Sequence, residues 1–200
     1  AATLERLFRK RNLGLFILLT GVCMGCLALM SDFGTALIFF VAFLCIAFLR
    51  TGDLPSIVMI TAAAGFAGGI VLRFKPYVLA RFAVWRHAWE YAQEEGYQQT
   101  RTMSAVASGG LFGAGPEEAW LKYVGAANTD LVFGVVSEEF GLLLALCAAA
   151  AVILLGIYAL RAAGRSRSSF YAIAACATAA MLVFQTTLNV LGSVDLLPLT

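Results

Sequence analysis

Apolar residues fall into five runs, Leu13 to Met30, Thr35 to Leu49, Ile57 to Leu72, Leu131 to Leu160 and Phe170 to Gly192, with polar residues gathered between them. At 1.5 Å per residue a run of about 18 residues covers about 27 Å, close to the roughly 30 Å hydrocarbon core of a bilayer. The second and third runs are short and borrow flanking residues such as Phe33 or Phe74. The pattern predicts an all-α, polytopic membrane domain occupying residues 1–200 as one unit, with about five transmembrane helices. Composition agrees: 61% of the 200 residues are hydrophobic and 13% charged, and the mean hydropathy is +0.86. Too little polar surface is present to cover a soluble globule.

Charge adds orientation. The 14 basic residues sit in clusters between the runs, and a net charge of +2 excludes a nucleic-acid-binding field. Arg6, Arg9, Lys10 and Arg11 precede the first run, and Arg161, Arg165 and Arg167 lie between the fourth and fifth with no acid among them. Both segments are predicted to be cytoplasmic. Five spans in series then put Arg50 to Ser56 inside and the long segment from Arg73 to Asp130 outside. Within that segment Val78, Phe82, Trp85 and Trp89 recur at helical spacing after Pro76, which predicts an amphipathic helix lying in the headgroup layer. The lone His87 there earns no catalytic role. All five cysteines lie in apolar runs and behave as small buried hydrophobes, and the Cys23-x-x-Cys26 pair has neither a second pair nor a histidine near it.

Acids mark the candidate chemistry. Asn128-Thr129-Asp130 reads as a capped helix start with a carboxylate in its first turn, and Asp32 occupies the corresponding outer boundary of the second run. Parity alone places these two acids on one side of the membrane. In a regular fourth helix Glu138 and Glu139 lie about 12 Å deeper, where carboxyl groups face protein or a water-filled cavity. At 100° per residue Asp130, Gly134, Ser137 and Gly141 share one stripe, its small residues allowing close helix packing. Glu138 falls about 80° from Asp130 and is assigned to the cavity. Glu139 falls opposite and is assigned to a structural pair with a neighbouring helix. The run Ser108-Gly109-Gly110-Leu111-Phe112-Gly113-Ala114-Gly115-Pro116 is neither a P-loop nor a dinucleotide fingerprint. Its glycines can expose backbone N–H groups to an anion or let the chain re-enter the membrane face.

Six motifs stand in order: Asp32-Phe33-Gly34-Thr35; Gly96-Tyr97-Gln98-Gln99; Ser108-Gly109-Gly110 with Gly113 and Gly115; Asn128-Thr129-Asp130-Leu131-Val132-Phe133; Ser137-Glu138-Glu139-Phe140-Gly141; and Gln185 and Asn189 with Leu196-Leu197-Pro198. Together they resemble the SEDS family (shape, elongation, division and sporulation), the RodA, FtsW and SpoVE group. The chain would cover roughly its fifth to ninth spans. The resemblance implies a peptidoglycan glycosyltransferase of the bacterial cytoplasmic membrane, its active site on the outer face. Such an enzyme polymerises lipid II into undecaprenyl-linked glycan beside a class B penicillin-binding transpeptidase. Asp130 matches the carboxylate regarded as catalytic. Asp32, Gln98, Ser108, Gly109 and Gly110 match substrate-facing motifs, while Arg81, Arg101 and Lys122 are outer-side candidates for the pyrophosphate charge, alongside a divalent cation such as magnesium or manganese. The chain departs from the family pattern at Arg86, Ala114, Asn128 and Asp195. Two other functions fit a membrane domain of this kind, a flippase for lipid-linked precursors and a non-catalytic scaffold of the wall machinery.

Overall fold

The computed structural model describes residues 14–15, 17–27, 32–74 and 82–197. The described residues form helices and turns, with no strand among them. In chain order the helices are α1 (Ile17–Leu27), α2 (Phe33–Thr51), α3 (Leu54–Phe74), α4 (Tyr97–Gly109), α5 (Val132–Phe140), α6 (Leu142–Gly164) and α7 (Ser169–Ser193). Three are long and apolar enough to cross a membrane: α2 over Gly34–Thr51, α6 and α7. The apolar parts of α1 and α3, Ile17–Leu27 and Leu54–Gly69, are shorter.

Helices α6 and α7 form an antiparallel hairpin joined by the link that carries Arg165 and Arg167, and α2 packs along α7. Between lipid-soluble helices there is little hydrophobic driving force, so association rests on close packing at small residues. That is what the interfaces contain. Ala36 and Ala47 are buried on α2, Ala145 and Gly156 on α6, Ala177 and Ala179 on α7. A Cβ built on Gly156 would stand 2.7 Å from Val183 Cγ2, which measures how near the two backbones come. Large apolar side chains such as Leu143, Leu146 and Leu154 point outward. The cysteines are all free, and Cys23, Cys26 and Cys147 lie on exposed helix faces rather than in a core.

The expected continuous helix over Leu131 to Leu160 is broken into α5 and α6 at Gly141. Gly141 takes φ 92° and ψ 157°, a conformation essentially confined to glycine. A break exposes the last carbonyls of one helix and the first amides of the next. Here the glycine-rich turn after α4 meets both sets. Ala114 and Gly115 N–H donate to the Glu138 and Glu139 carbonyls, and Leu142 and Leu143 N–H donate to the Gly110 and Leu111 carbonyls. Gly113 (φ 87°) and Gly141 lie so close to this partner backbone that a Cβ on either would stand 2.3 Å from a carbonyl oxygen, of Glu139 and Leu111 respectively. The turn therefore splints the break.

Helix α4 itself has no apolar face to announce it. Its buried residues include Gln99, Thr100 and Thr102. They are tolerated because the hydroxyls bond back to the preceding turn, Thr100 to Gly96 O at 3.0 Å and Thr102 to Gln98 O at 2.7 Å. Helix α4 crosses α5 at two glycines. Cβ atoms there would lie 2.2 Å from Ser137 O for Gly109 and 2.5 Å from Thr102 Cγ2 for Gly134.

The amphipathic helix expected across Val78 to Trp89 does not extend through its described part. Helix ends at Val84 and turns follow to Gly96. Arg86 has φ 65°, which stops a right-handed helix. Two bonds to the far end of the chain hold this corner, Trp85 Nε1 to Leu196 O at 3.2 Å and Arg86 N–H to Asp195 Oδ1 at 3.3 Å. Val78 lies outside the described residues.

Candidate active site

Asp130 sits in a compact series of turns before α5. Its N–H donates to Ala126 O at 3.0 Å, made possible by a left-handed Ala126 (φ 64°). The sequence suggested that this acid lies in the first turn of a capped helix. Instead α5 begins at Val132, its first turn holds no acid, and its flanking Leu131 makes no side-chain cap. The cap comes from another helix. Asn189 of α7 accepts from Phe133 N–H at 3.0 Å through Oδ1. Its Nδ2 donates to Thr129 O at 3.1 Å and to Asp130 O at 3.0 Å. One amide thus fixes the backbone on both sides of Asp130, and the exposed carboxylate has no hydrogen-bond partner among the described residues.

Asp32 caps α2, its Oδ1 accepting from Thr35 N–H at 3.0 Å. It lines the same cleft as Asp130, so the two acids expected on one side are brought together. The cleft has a volume of about 1080 Å³ and runs between α2, α5, α6 and α7. By order along the helices, the polar Asp32, Thr35, Asn128, Asp130 and Asn189 stand toward one end, beside Val132, Phe133 and Val190, with Gln185 one turn further in. Further along the same helices the lining changes to Ile38, Val152, Leu155 and Leu182. A polar, acidic mouth thus leads into an apolar trench between membrane-crossing helices.

Glu138 does not line this cleft. It is 1% exposed, and its carboxylate accepts from Trp120 N–H at 3.2 Å and Leu121 N–H at 2.9 Å. The helical-wheel assignment assumed one regular helix from Asp130 inward; Asp130 instead lies in the turns before α5, so no wheel angle relates it to Glu138, and α5 is a separate short rod packed on α4. Burial is tolerated because both oxygens meet backbone donors. Glu139, expected to pair across helices, is half-buried, and its carboxylate has no partner among the described residues.

The remaining expected substrate contacts stand away from the cleft. Gln98 Nε2 donates to Gly125 O at 3.2 Å. Ser108 Oγ donates back to Ala105 O at 2.9 Å, and Gly109 and Gly110 serve the α4–α5 crossing and the splint. Arg101 lies over the rings of Tyr97 and Trp120, 5.1 and 5.7 Å from their centroids. Lys122 bonds to Pro116 O. Arg81 lies outside the described residues. Among the described residues, none that lines the cleft is basic. Gln185 and Asn189, singled out in the sequence only through the family resemblance, are central to the site. Their physical signal is two amides spaced i, i+4 on a long apolar helix, a costly arrangement unless the side chains face a cavity or a partner.

Residues 2–200 match the cell cycle protein family FtsW/RodA/SpoVE. A probable peptidoglycan glycosyltransferase FtsW of Coxiella burnetii is 30% identical over 194 residues, covering 91% of this chain and 50% of that protein. The FtsW of Dichelobacter nodosus, also named a probable peptidoglycan glycosyltransferase, is 31% identical over 182 residues, 86% of this chain and 46% of that protein. The peptidoglycan glycosyltransferase RodA of Mycobacterium leprae is 29% identical over 195 residues, 96% of this chain and 41% of that protein. The chain spans about half the length of the curated relatives it matches.

Proposed function

Because the chain belongs to the FtsW/RodA/SpoVE family, we propose that it carries the catalytic cleft of a peptidoglycan glycosyltransferase that polymerises lipid II on the outer face of the cytoplasmic membrane. The observation that carries this reading is the cleft's two-part lining, with Asp130, whose carboxylate has no partner among the described residues, at its polar mouth and an apolar trench beyond it. Such a shape suits a ligand with a sugar pyrophosphate head and a polyprenyl tail.

In the reaction the 4-hydroxyl oxygen of one amino sugar forms a bond to the anomeric carbon of the next. The bond from that carbon to the pyrophosphate breaks, and lipid pyrophosphate leaves with the electron pair. Asp130 takes the hydroxyl proton as general base. Its backbone is held by Asn189, so the carboxylate is placed without being consumed by a cap. Asp32 and Gln185 face the same space and orient the head group.

The leaving pyrophosphate needs positive charge. Among the described residues the lining holds no basic side chain, and Arg101 and Lys122 stand outside it. A divalent cation fits the donor set: magnesium commonly takes one or two carboxylates and completes its shell with substrate phosphates and water, and Asp32 keeps one carboxylate oxygen beyond its cap. Asp32, with substrate phosphates and water, would hold such an ion. When bound it would neutralise the departing pyrophosphate. The transpeptidase partner is a class B penicillin-binding protein.

Polymerisation of purified lipid II by the complete protein tests the reading. Asp130→Asn is expected to stay folded and inserted while losing about 10² to 10⁴ in rate, the range for removing a general base. Wild-type rates from that variant would overturn the assignment.

A further inference from the structure

The glycine-rich turn carries two large apolar side chains that neither the fold nor the cleft uses. Leu111 is 60% and Phe112 85% exposed, at the tip between Gly110 and Gly113. Beside them Phe140 and Leu143 are 52% and 59% exposed. The four form one apolar skin where α5, the turn and α6 meet.

The depth of this skin follows from α6. Its apolar stretch from Leu142 to Leu160 ends at Arg161 and, at 1.5 Å per residue, covers about 28 Å. That is nearly the whole of the roughly 30 Å hydrocarbon core. With Arg161 at one boundary, Leu142 and Leu143 reach the opposite edge of the hydrocarbon layer. Their N–H groups donate to Gly110 O at 2.9 Å and Leu111 O at 3.4 Å. The tip is pinned at the level of the first turn of α6.

We infer that the side chains of Leu111 and Phe112 form an interfacial wedge that inserts into the outer leaflet of the bilayer, anchoring the long extramembrane segment beside the cleft. Non-helical backbone reaches membrane depth only where its polar groups are already paired. The flanks of this turn meet that condition: Gly113 N–H donates to Gly109 O, Ala114 and Gly115 N–H donate to Glu138 and Glu139 O, and the carbonyls of Gly110 and Leu111 are taken by α6. The N–H groups of Leu111 and Phe112 stay at the interface within reach of water, so that only the two side chains enter the hydrocarbon. The tip shares one surface with the outward-facing Leu143 and Leu146 of a membrane-crossing helix. Lipid is therefore the occupant that the surface fits.

The test places an environment-sensitive fluorophore at position 112 (Phe112→Cys, native cysteines replaced) in the complete protein, reconstituted into phosphatidylglycerol and phosphatidylethanolamine vesicles. Tyr123→Cys, on an 82% exposed side chain of the same outer segment, is the aqueous control. The probe at 112 is expected to be blue-shifted, quenched by lipids brominated high on the acyl chain, and shielded from aqueous iodide, with position 123 showing the reverse. Iodide quenching at 112 equal to that at 123 would overturn the inference. So would protection from both quenchers, which would mean that protein covers the tip. Should the cysteine-replaced protein fail to fold, Phe112→Trp in the native background reads the same way: its added emission should be blue-shifted and sensitive to brominated lipid but not to iodide.

Discussion

A carboxylate used as a helix cap and one free to serve as the proposed base have opposite requirements, and Asn189 separates the two tasks. By accepting from Phe133 N–H and donating to the Thr129 and Asp130 carbonyls, it leaves the Asp130 oxygens to the cleft. Asn189→Ala should therefore cost about 1 kcal/mol, the usual cost of a lost cap, and reduce polymerisation by more than that loss of folded protein explains. Rates per folded molecule and thermal unfolding in detergent, measured together, check this. Glu138 is the contrasting case. Both oxygens accept from backbone donors, so an amide at this position must aim its NH₂ group at one of them. Glu138→Gln is expected to destabilise by about 1–3 kcal/mol, the cost of leaving a buried polar group unsatisfied, while the surviving folded molecules keep their specific activity. A stable variant with low turnover would return Glu138 to the cleft. In the sequence both glutamates announced themselves as costly at depth; what they bind could not be read, because it depends on where the chain breaks.

At the scale of elements, the break between α5 and α6 separates what the sequence shows from what it hides. A single glycine inside a long apolar run is compatible with an unbroken helix, and nothing local to Gly141 reveals that its neighbours' backbone groups are claimed by a turn some thirty residues earlier. Helix α4 was hidden for a different reason: its buried face is threonine, glutamine and small residues, so it carries no 3.6-residue apolar period. The turn corner at Arg86 is set by bonds to Asp195 and Leu196, partners too distant for local pattern to foresee. The helices α2, α6 and α7 were legible because lipid imposes length and apolarity on them directly. The splint makes a sharp prediction. Gly141→Ala combines a backbone conformation costing about 1–3 kcal/mol for other residues with a Cβ 2.3 Å from Leu111 O. It should lower membrane levels and melting temperature far more than Gly164→Ala, where a Cβ meets nothing within 4 Å.

For the molecule as a whole, one polarity runs through the bundle. The ends of helices that carry Asp32, Asp130 and Asn189 meet at the cleft mouth, while the link with Arg165 and Arg167 closes the α6–α7 hairpin at the other end. Counting spans and basic loops was enough to anticipate that the two aspartates share a side; that they share a cleft required the packing of α2 on α7. If the basic link is cytoplasmic, Tyr123→Cys in intact cells should react with an impermeant maleimide, whereas Ser166→Cys should react only after permeabilisation. The reverse pattern would place the acidic mouth in the cytoplasm and remove the proposed substrate orientation. The Asn189 amide gives this architecture a mechanical property. It couples the backbone around Asp130, which its own loop also holds through Ala126, to a membrane-crossing rod. An axial slip of α7 by one residue would carry Asp130 with it by about 1.5 Å, and displacements near 1 Å can change rates about 10²-fold. A force applied to α7 anywhere along its length, by a neighbouring helix or by bilayer thickness, would then act as a throttle on the chemistry proposed at its far end.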